Sequence, residues 1–140
     1  MTTRLVVTYL IFMSCCAFLG CGQASQLDRV EVRGKVTFAG KPIQNGEIRF
    51  FPTQKTKGPV SGAPIVDGSY DVTQRGGVPV GNHRVEIEAF RSSRVRPELN
   101  AEGGHREQYL PEQFNIGSKL TAVVSADASP MELNFDLPDK

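Results

Sequence analysis

Val30-Glu31-Val32-Arg33-Gly34-Lys35-Val36-Thr37-Phe38 alternates with period two: Val30, Val32, Gly34, Val36 and Phe38 fall on one side, and Glu31, Arg33, Lys35 and Thr37 on the other. Successive side chains of an extended chain point to opposite faces, so this stretch predicts a strand with one face in a core. Downstream, Ala39-Gly40-Lys41-Pro42 and Gln44-Asn45-Gly46 supply turn chemistry, because Gly and Asn accept positive φ and Pro fixes its own. Glu47 to Phe51 then alternates again, with Ile48 and Phe50 inward. The economical reading of 30–51 is two neighbouring antiparallel strands.

Further strands are expected at Ser61 to Val66, Ser69 to Thr73, Gly81 to Phe90, Leu120 to Val124 and Glu132 to Leu137. The intervening segments hold breakers. Asp67-Gly68 is a tight hairpin signal, Gly76-Gly77 and Pro79 punctuate the next connection, and Ser129-Pro130 precedes the last strand. Three inward sets follow from the alternation: Tyr70 and Val72; His83, Val85, Ile87 and Ala89; Leu133, Phe135 and Leu137. With 14 Gly, 9 Pro and no Trp, and without a helical stripe in this region, the pattern predicts an all-β fold. Seven short strands at this spacing read as a seven-stranded antiparallel β-sandwich, since a parallel sheet needs crossover helices. Residues 30–140 form one domain in this reading, large enough for a core without covalent staples.

Arg91 to Asn115 breaks the pattern, with Gly103-Gly104 in its middle and no clear alternation. Loops this long in a compact domain are usually functional or disordered, which makes the interval the place to seek a site. Glu107 to Phe114 is expected to hold one short helical turn. Arg91, Arg94, Arg96, His105 and Arg106 lie here with Glu98, Glu102 and Glu107. They are the candidate ligand-binding residues, because forked guanidinium groups suit carboxylates or sulfated sugars. The competing reading is a solvated loop whose charges nearly balance.

The other end of the chain speaks to location. Residues 1–21 place one cation, Arg4, before a 15-residue apolar stretch from Leu5 to Leu19, and then Gly20-Cys21. That is the order of a secretory signal. The stretch is shorter than the roughly 20 residues of a spanning helix, and Gly22-Gln23-Ala24-Ser25-Gln26 supplies no cationic stop. Cys15, Cys16 and Cys21 are the only cysteines, so the 119 residues after Cys21 contain no disulfide, Cys metal site or Cys nucleophile. Phe18-Leu19-Gly20-Cys21 resembles the lipobox of bacterial lipoproteins, with Phe18 where the family usually has an aliphatic residue. The resemblance implies lipidation of Cys21, residues 1–20 as signal peptide and 21–29 as a lipidated tether. Several acyl chains at roughly 0.8 kcal/mol per buried methylene anchor a protein stably. The alternatives are a signal peptide cleaved nearby and an uncleaved anchor.

A second resemblance covers nearly the whole body of the chain. Val32 to Ile43 followed by Gly46-Glu47-Ile48-Arg49-Phe50-Phe51-Pro52, then Val66-Asp67-Gly68-Ser69-Tyr70-Asp71-Val72 and Val78 to Ile87, is similar to the carboxypeptidase regulatory-like domain. Tyr109 to Phe114 and Leu133 to Leu137 resemble the end of small planctomycete-type lipoproteins that carry this transthyretin-like domain. The resemblance implies a prealbumin-like sandwich that is exported and usually non-enzymatic. His83 stands where the family more often has Tyr, and its apolar phase makes it a replacement for a core-edge aromatic. The family name refers to an accessory domain beside a zinc peptidase, and no peptidase follows for this chain.

Catalytic and metal chemistry find little footing. The two histidines, His83 and His105, lie in no zinc-protease spacing, and no Gly-x-Ser-x-Gly elbow occurs. Asp67-Gly68-Ser69 lacks the ligand pattern of a calcium loop. The 16 basic and 15 acidic residues give a formal charge of +1, and loss of Arg4 leaves 15 of each. Such a chain has no broad field for nucleic acid or an anionic bilayer. The expectation is a cell-envelope lipoprotein, exported and attached to a membrane through Cys21, with no cofactor or metal and no enzymatic activity. Its β domain serves as a binding or structural module, with an envelope glycan or protein as partner. Two alternatives remain open: a glycan- or peptide-binding module using loop 91–115, and a small hydrolase built on His83 or His105.

Overall fold

A computed structural model describes residues 27–92 and 106–139. The chain runs through β1 (Arg29–Val30), β2 (Val32–Phe38), β3 (Lys41–Pro42), β4 (Asn45–Pro52), β5 (Ser61–Val66), β6 (Ser69–Val72) and β7 (Val78–Pro79). It continues with β8 (Gly81–Ser92), β9 (Arg106–Gln108), β10 (Leu120–Val124), β11 (Met131–Glu132) and β12 (Phe135–Leu137). Two 3-10 turns, Gln74–Gly76 and Glu112–Phe114, complete the described elements, and the second supplies the helical turn expected within 107–114.

The protein is all-β, built on a curled and mainly antiparallel sheet. Its main path orders the strands β10-β8-β4-β5-β6-β2-β11. β12 and β3 also pair with β2, β9 pairs with β8, and β1 with β7 forms a separate two-stranded ladder. All seven expected strands form within a residue or two of their sequence bounds, except that 30–38 breaks at Glu31, leaving Val30 in β1, and that 132–137 divides into β11 and β12. Both pieces run parallel to β2, a departure from the all-antiparallel expectation. Between them the Asn134 side chain accepts a 2.7 Å hydrogen bond from the Lys35 amide, filling the gap in the ladder.

The expected pairing of 30–38 with 47–51 does not form. Ala39 and Gly40 do reverse the chain, with φ of 50° and 74°, but the strand that returns along β2 is the two-residue β3. Ile43, only 1% exposed, still donates to the Val36 carbonyl at 3.2 Å, but Gly68 enters between the two strands, accepting from the Val36 amide and donating to the Ile43 carbonyl at 2.8 Å each. The chain thereby leaves β2. β4 instead pairs with β5 and β8, while β2 takes β6 as its antiparallel neighbour.

The inward sets read from alternation line the core: Val32 and Val36, Ile48 and Phe50, Tyr70 and Val72, and His83, Val85, Ile87 and Ala89 are all buried. Curling brings distant strands together over this face. Phe50 of β4 meets Tyr70 of β6, His83 of β8 and Phe135 of β12 with ring centroids 6.2–6.5 Å apart. Phe38 closes the far end against Tyr109 and Phe114 at 6.2 and 6.3 Å. Offset and edge-on rings at such separations add attraction beyond the area they bury.

Candidate functional site

The last turn of β8 and the start of β9 carry the first candidate. Their antiparallel register sets Arg91 opposite Glu107 and Ser92 opposite Arg106, so both ends of the long interval return to one place. Arg91, Ser92 and Arg106 line a cavity of about 230 Å3 with Asn45 and Phe90. A larger groove of about 450 Å3 continues from Arg106 and Phe90 past Glu47, Gly62 and Pro64 to Gln74. It runs along β4 and β5. Gly62 is bare where β5 passes β4, since a Cβ there would sit 2.5 Å from the Ile48 carbonyl oxygen.

Arg91 forms a fork with Glu107: Nη2 donates to Oε1 at 3.0 Å and Nε to Oε2 at 3.3 Å. The guanidinium also stands over the Tyr109 ring at 5.5 Å. The Glu107 hydrogen bond and charge raise the pKa of Arg91 above its ordinary value. Burial raises the Tyr109 phenol, and the Arg91 charge works against that shift. Of the residues read as candidates from sequence, the structure therefore brings Arg91 and Arg106 to one cavity. Arg94, Arg96, His105 and Cys21 lie outside the described residues, as do the signal segment 1–20 and most of the tether.

His83 occupies the core position its phase predicts. It is 0% exposed, edge-on to Phe50, with Nδ1 3.2 Å from the Gly81 carbonyl oxygen. If Nδ1 carries the proton, Nε2 is a buried acceptor, and it has no hydrogen-bond partner. Burial lowers its pKa, with the Gly81 hydrogen bond acting in the opposite direction. The side chain is a neutral core group.

On the outer face, ionisable groups are tied to one another. Arg49 pairs with Glu88 and Arg84 with Glu86, each at 2.5 Å, and Arg84 also covers the Phe51 ring at 4.7 Å. A second cavity, which sequence reasoning missed, lies between Arg29 of β1 and Arg75 of the first 3-10 turn, with Ser61 and Gln74 in its wall. Arg29 and Arg75 are 46 positions apart in an unremarkable pattern, so only the fold reveals their convergence.

Among the described residues no cluster of His, Cys, Asp and Glu has the makings of a metal site. Among them, too, no helix is long and apolar enough to cross a membrane. No family model, curated protein or solved structure matches the chain.

Proposed function

We propose that the protein is a membrane-anchored envelope lipoprotein whose β domain acts as a binding or structural module. The observation that carries this reading is the spacing between Gly20-Cys21 and β1, which begins at Arg29. Seven residues, Gly22 to Asp28, separate the thiol from the first strand, a flexible reach of roughly 15 Å. A lipid on Cys21 holds the sheet beside the bilayer. The curled sheet, in the same proposal, is a prealbumin-like sandwich of the carboxypeptidase regulatory-like kind, a reading supported by its all-β, mainly antiparallel make-up.

Intact-mass analysis of the protein purified from its native membrane tests the anchor. The reading expects a chain beginning at Cys21 and heavier than its polypeptide by the mass of acyl chains. A chain trimmed elsewhere with an unmodified Cys21 overturns it.

A second reading has a specific observation behind it. The cavity shared by Arg91, Arg106, Asn45 and Phe90 opens into the long groove along β4 and β5, which suits an acidic glycan or an extended peptide. On a glycan and peptide array, Arg91→Ala combined with Arg106→Ala abolishes binding if this groove is the site. Undiminished binding by the double variant rejects the groove.

A further inference from the structure

We propose that the cavity between Arg29 and Arg75 is a phosphate-binding site. It has a volume of about 140 Å3 and is lined by Arg29, Ser61, Gln74 and Arg75 on its polar side and by Pro59, Val60, Gly62 and Val72 elsewhere. One water occupies roughly 30 Å3 in the liquid, so the space admits a four-oxygen anion. No carboxylate lines it. The described ion pairs engage Arg49, Arg84 and Arg91 with glutamates, and neither Arg29 nor Arg75 enters one.

Arg29 is held in place by the backbone around it. Its Nη1 donates to the Gly77 carbonyl at 2.9 Å and approaches the Ser61 hydroxyl at 3.5 Å, and that hydroxyl donates to the same carbonyl at 3.2 Å. The Nε and Nη2 donors are left over, in the planar geometry that matches phosphate oxygens. Gly77 makes this approach feasible, because a Cβ on it would lie 2.1 Å from the Val30 carbonyl oxygen.

Arg75 is presented by a strained turn. It has φ 54° and ψ 28°, followed by Gly76 at φ 83° and Gly77 at φ 97°. A left-handed conformation costs an ordinary residue roughly 1–2 kcal/mol relative to the right-handed one, and glycine escapes that cost. An arginine kept where glycine is preferred, between Gln74 and two glycines at the mouth of a cavity that already holds Arg29, points to use of its charge. A single carboxylate would leave one of the two guanidinium charges uncompensated. A phosphate with about −1.5 to −2 charges at pH 7 compensates both.

The proposal stands apart from the lipid anchor, and its test needs none. The full chain is titrated in detergent solution with inorganic phosphate, and separately with glycerol 3-phosphate, the phosphomonoester headgroup of phosphatidic acid. The readout is the amide resonances of Gly76 and Gly77. Saturable shifts are expected with at least one probe, and which probe binds more tightly tells a free phosphate from a lipid headgroup. Arg75→Gly removes the charge where the backbone favours glycine, so the fold is retained, and affinity should fall roughly tenfold to a hundredfold, as loss of charged hydrogen bonds predicts. Lys41→Gln, on the exposed strand β3 away from the cavity, should bind as the parent does. Absence of saturation with both probes, equal shifts with sodium chloride at matched ionic strength, or parental affinity in Arg75→Gly overturns the assignment.

Discussion

The Tyr70 hydroxyl donates a 2.7 Å hydrogen bond to the Leu133 carbonyl, 63 residues away in sequence, and so fastens the last part of the chain to β6. The same carbonyl lies over Gly34 of β2, where a Cβ would be only 1.8 Å from its oxygen. One bare glycine thus allows the close approach that one phenol completes. Tyr70→Phe should cost about 1 kcal/mol, the ordinary net value of a hydrogen bond. Gly34→Ala has no such escape, because backbone must move to admit the methyl group, and a loss of about 3 kcal/mol or more is expected. Urea denaturation of the two variants checks the ranking. A Gly34→Ala protein as stable as the parent would show that Leu133 does not pass where the structure places it.

His83 predicts a pH dependence with a definite sign. Burial lowers its folded pKa below the ordinary 6.5, so at mildly acidic pH the unfolded chain binds a proton that the folded chain refuses. Stability therefore rises with pH up to about the unfolded value and is lost as pH falls below it. His83→Phe retains an aromatic against Phe50 and removes the unpaired Nε2. The variant should match the parent near neutrality or exceed it by about 1 kcal/mol, the lower range for an unsatisfied buried acceptor. Between pH 7.5 and 5.5 the parent should lose melting temperature relative to the variant. Parallel melting curves across that range would mean the imidazole takes up its proton without unfolding.

The alternation at Val30 to Phe38, Glu47 to Phe51 and Gly81 to Phe90 made most strands and their buried faces legible, because period two reports directly which side chains point inward. Asp67-Gly68 was equally transparent: both residues have positive φ, 49° and 77°, as a tight hairpin requires. Strand order was not legible. Ala39-Gly40 announces a reversal, yet nothing local says that the returning strand ends after two residues. The parallel return of β11 and β12 depends on Gly34 meeting a carbonyl 99 positions later, a contact without periodic signature. Candidate sites divide similarly. Arg91 and Arg106 flank one interval and were found together, whereas Arg29 and Arg75 meet only through the β1–β7 ladder and the turn before it.

Gly77 should be among the least replaceable residues outside the core. Its φ of 97° with ψ of −147° is accessible essentially to glycine alone, and any Cβ would strike the Val30 carbonyl. Gly77→Ala is expected to destabilise by about 2–3 kcal/mol, since conformational strain and the clash act together. Gly40→Ala offers the control, having positive φ at 74° but nothing within 4 Å of the added methyl. It should lose only about 1 kcal/mol, the strain alone. Equal losses at the two positions would show that β1 is not seated against the Gly76-Gly77 turn.

Arg91 and Glu107 illustrate an ion pair that orients a side chain without stabilising the fold much. Their side chains are 59% and 43% exposed, so water and salt screen the attraction even though the fork is bidentate. Arg91→Ala should leave stability nearly unchanged, with the small loss coming in part from contact with the Tyr109 ring. The Tyr109 phenol supplies a local readout, because the Arg91 charge lowers its pKa against the effect of burial. Removing that charge leaves burial unopposed. In Arg91→Ala the Tyr109 ionisation followed by ultraviolet absorbance should therefore move to higher pH, while the melting temperature stays nearly constant. A large fall in melting temperature would make Arg91 a structural residue, and array binding lost in its variants would then report unfolding in place of a vacated site.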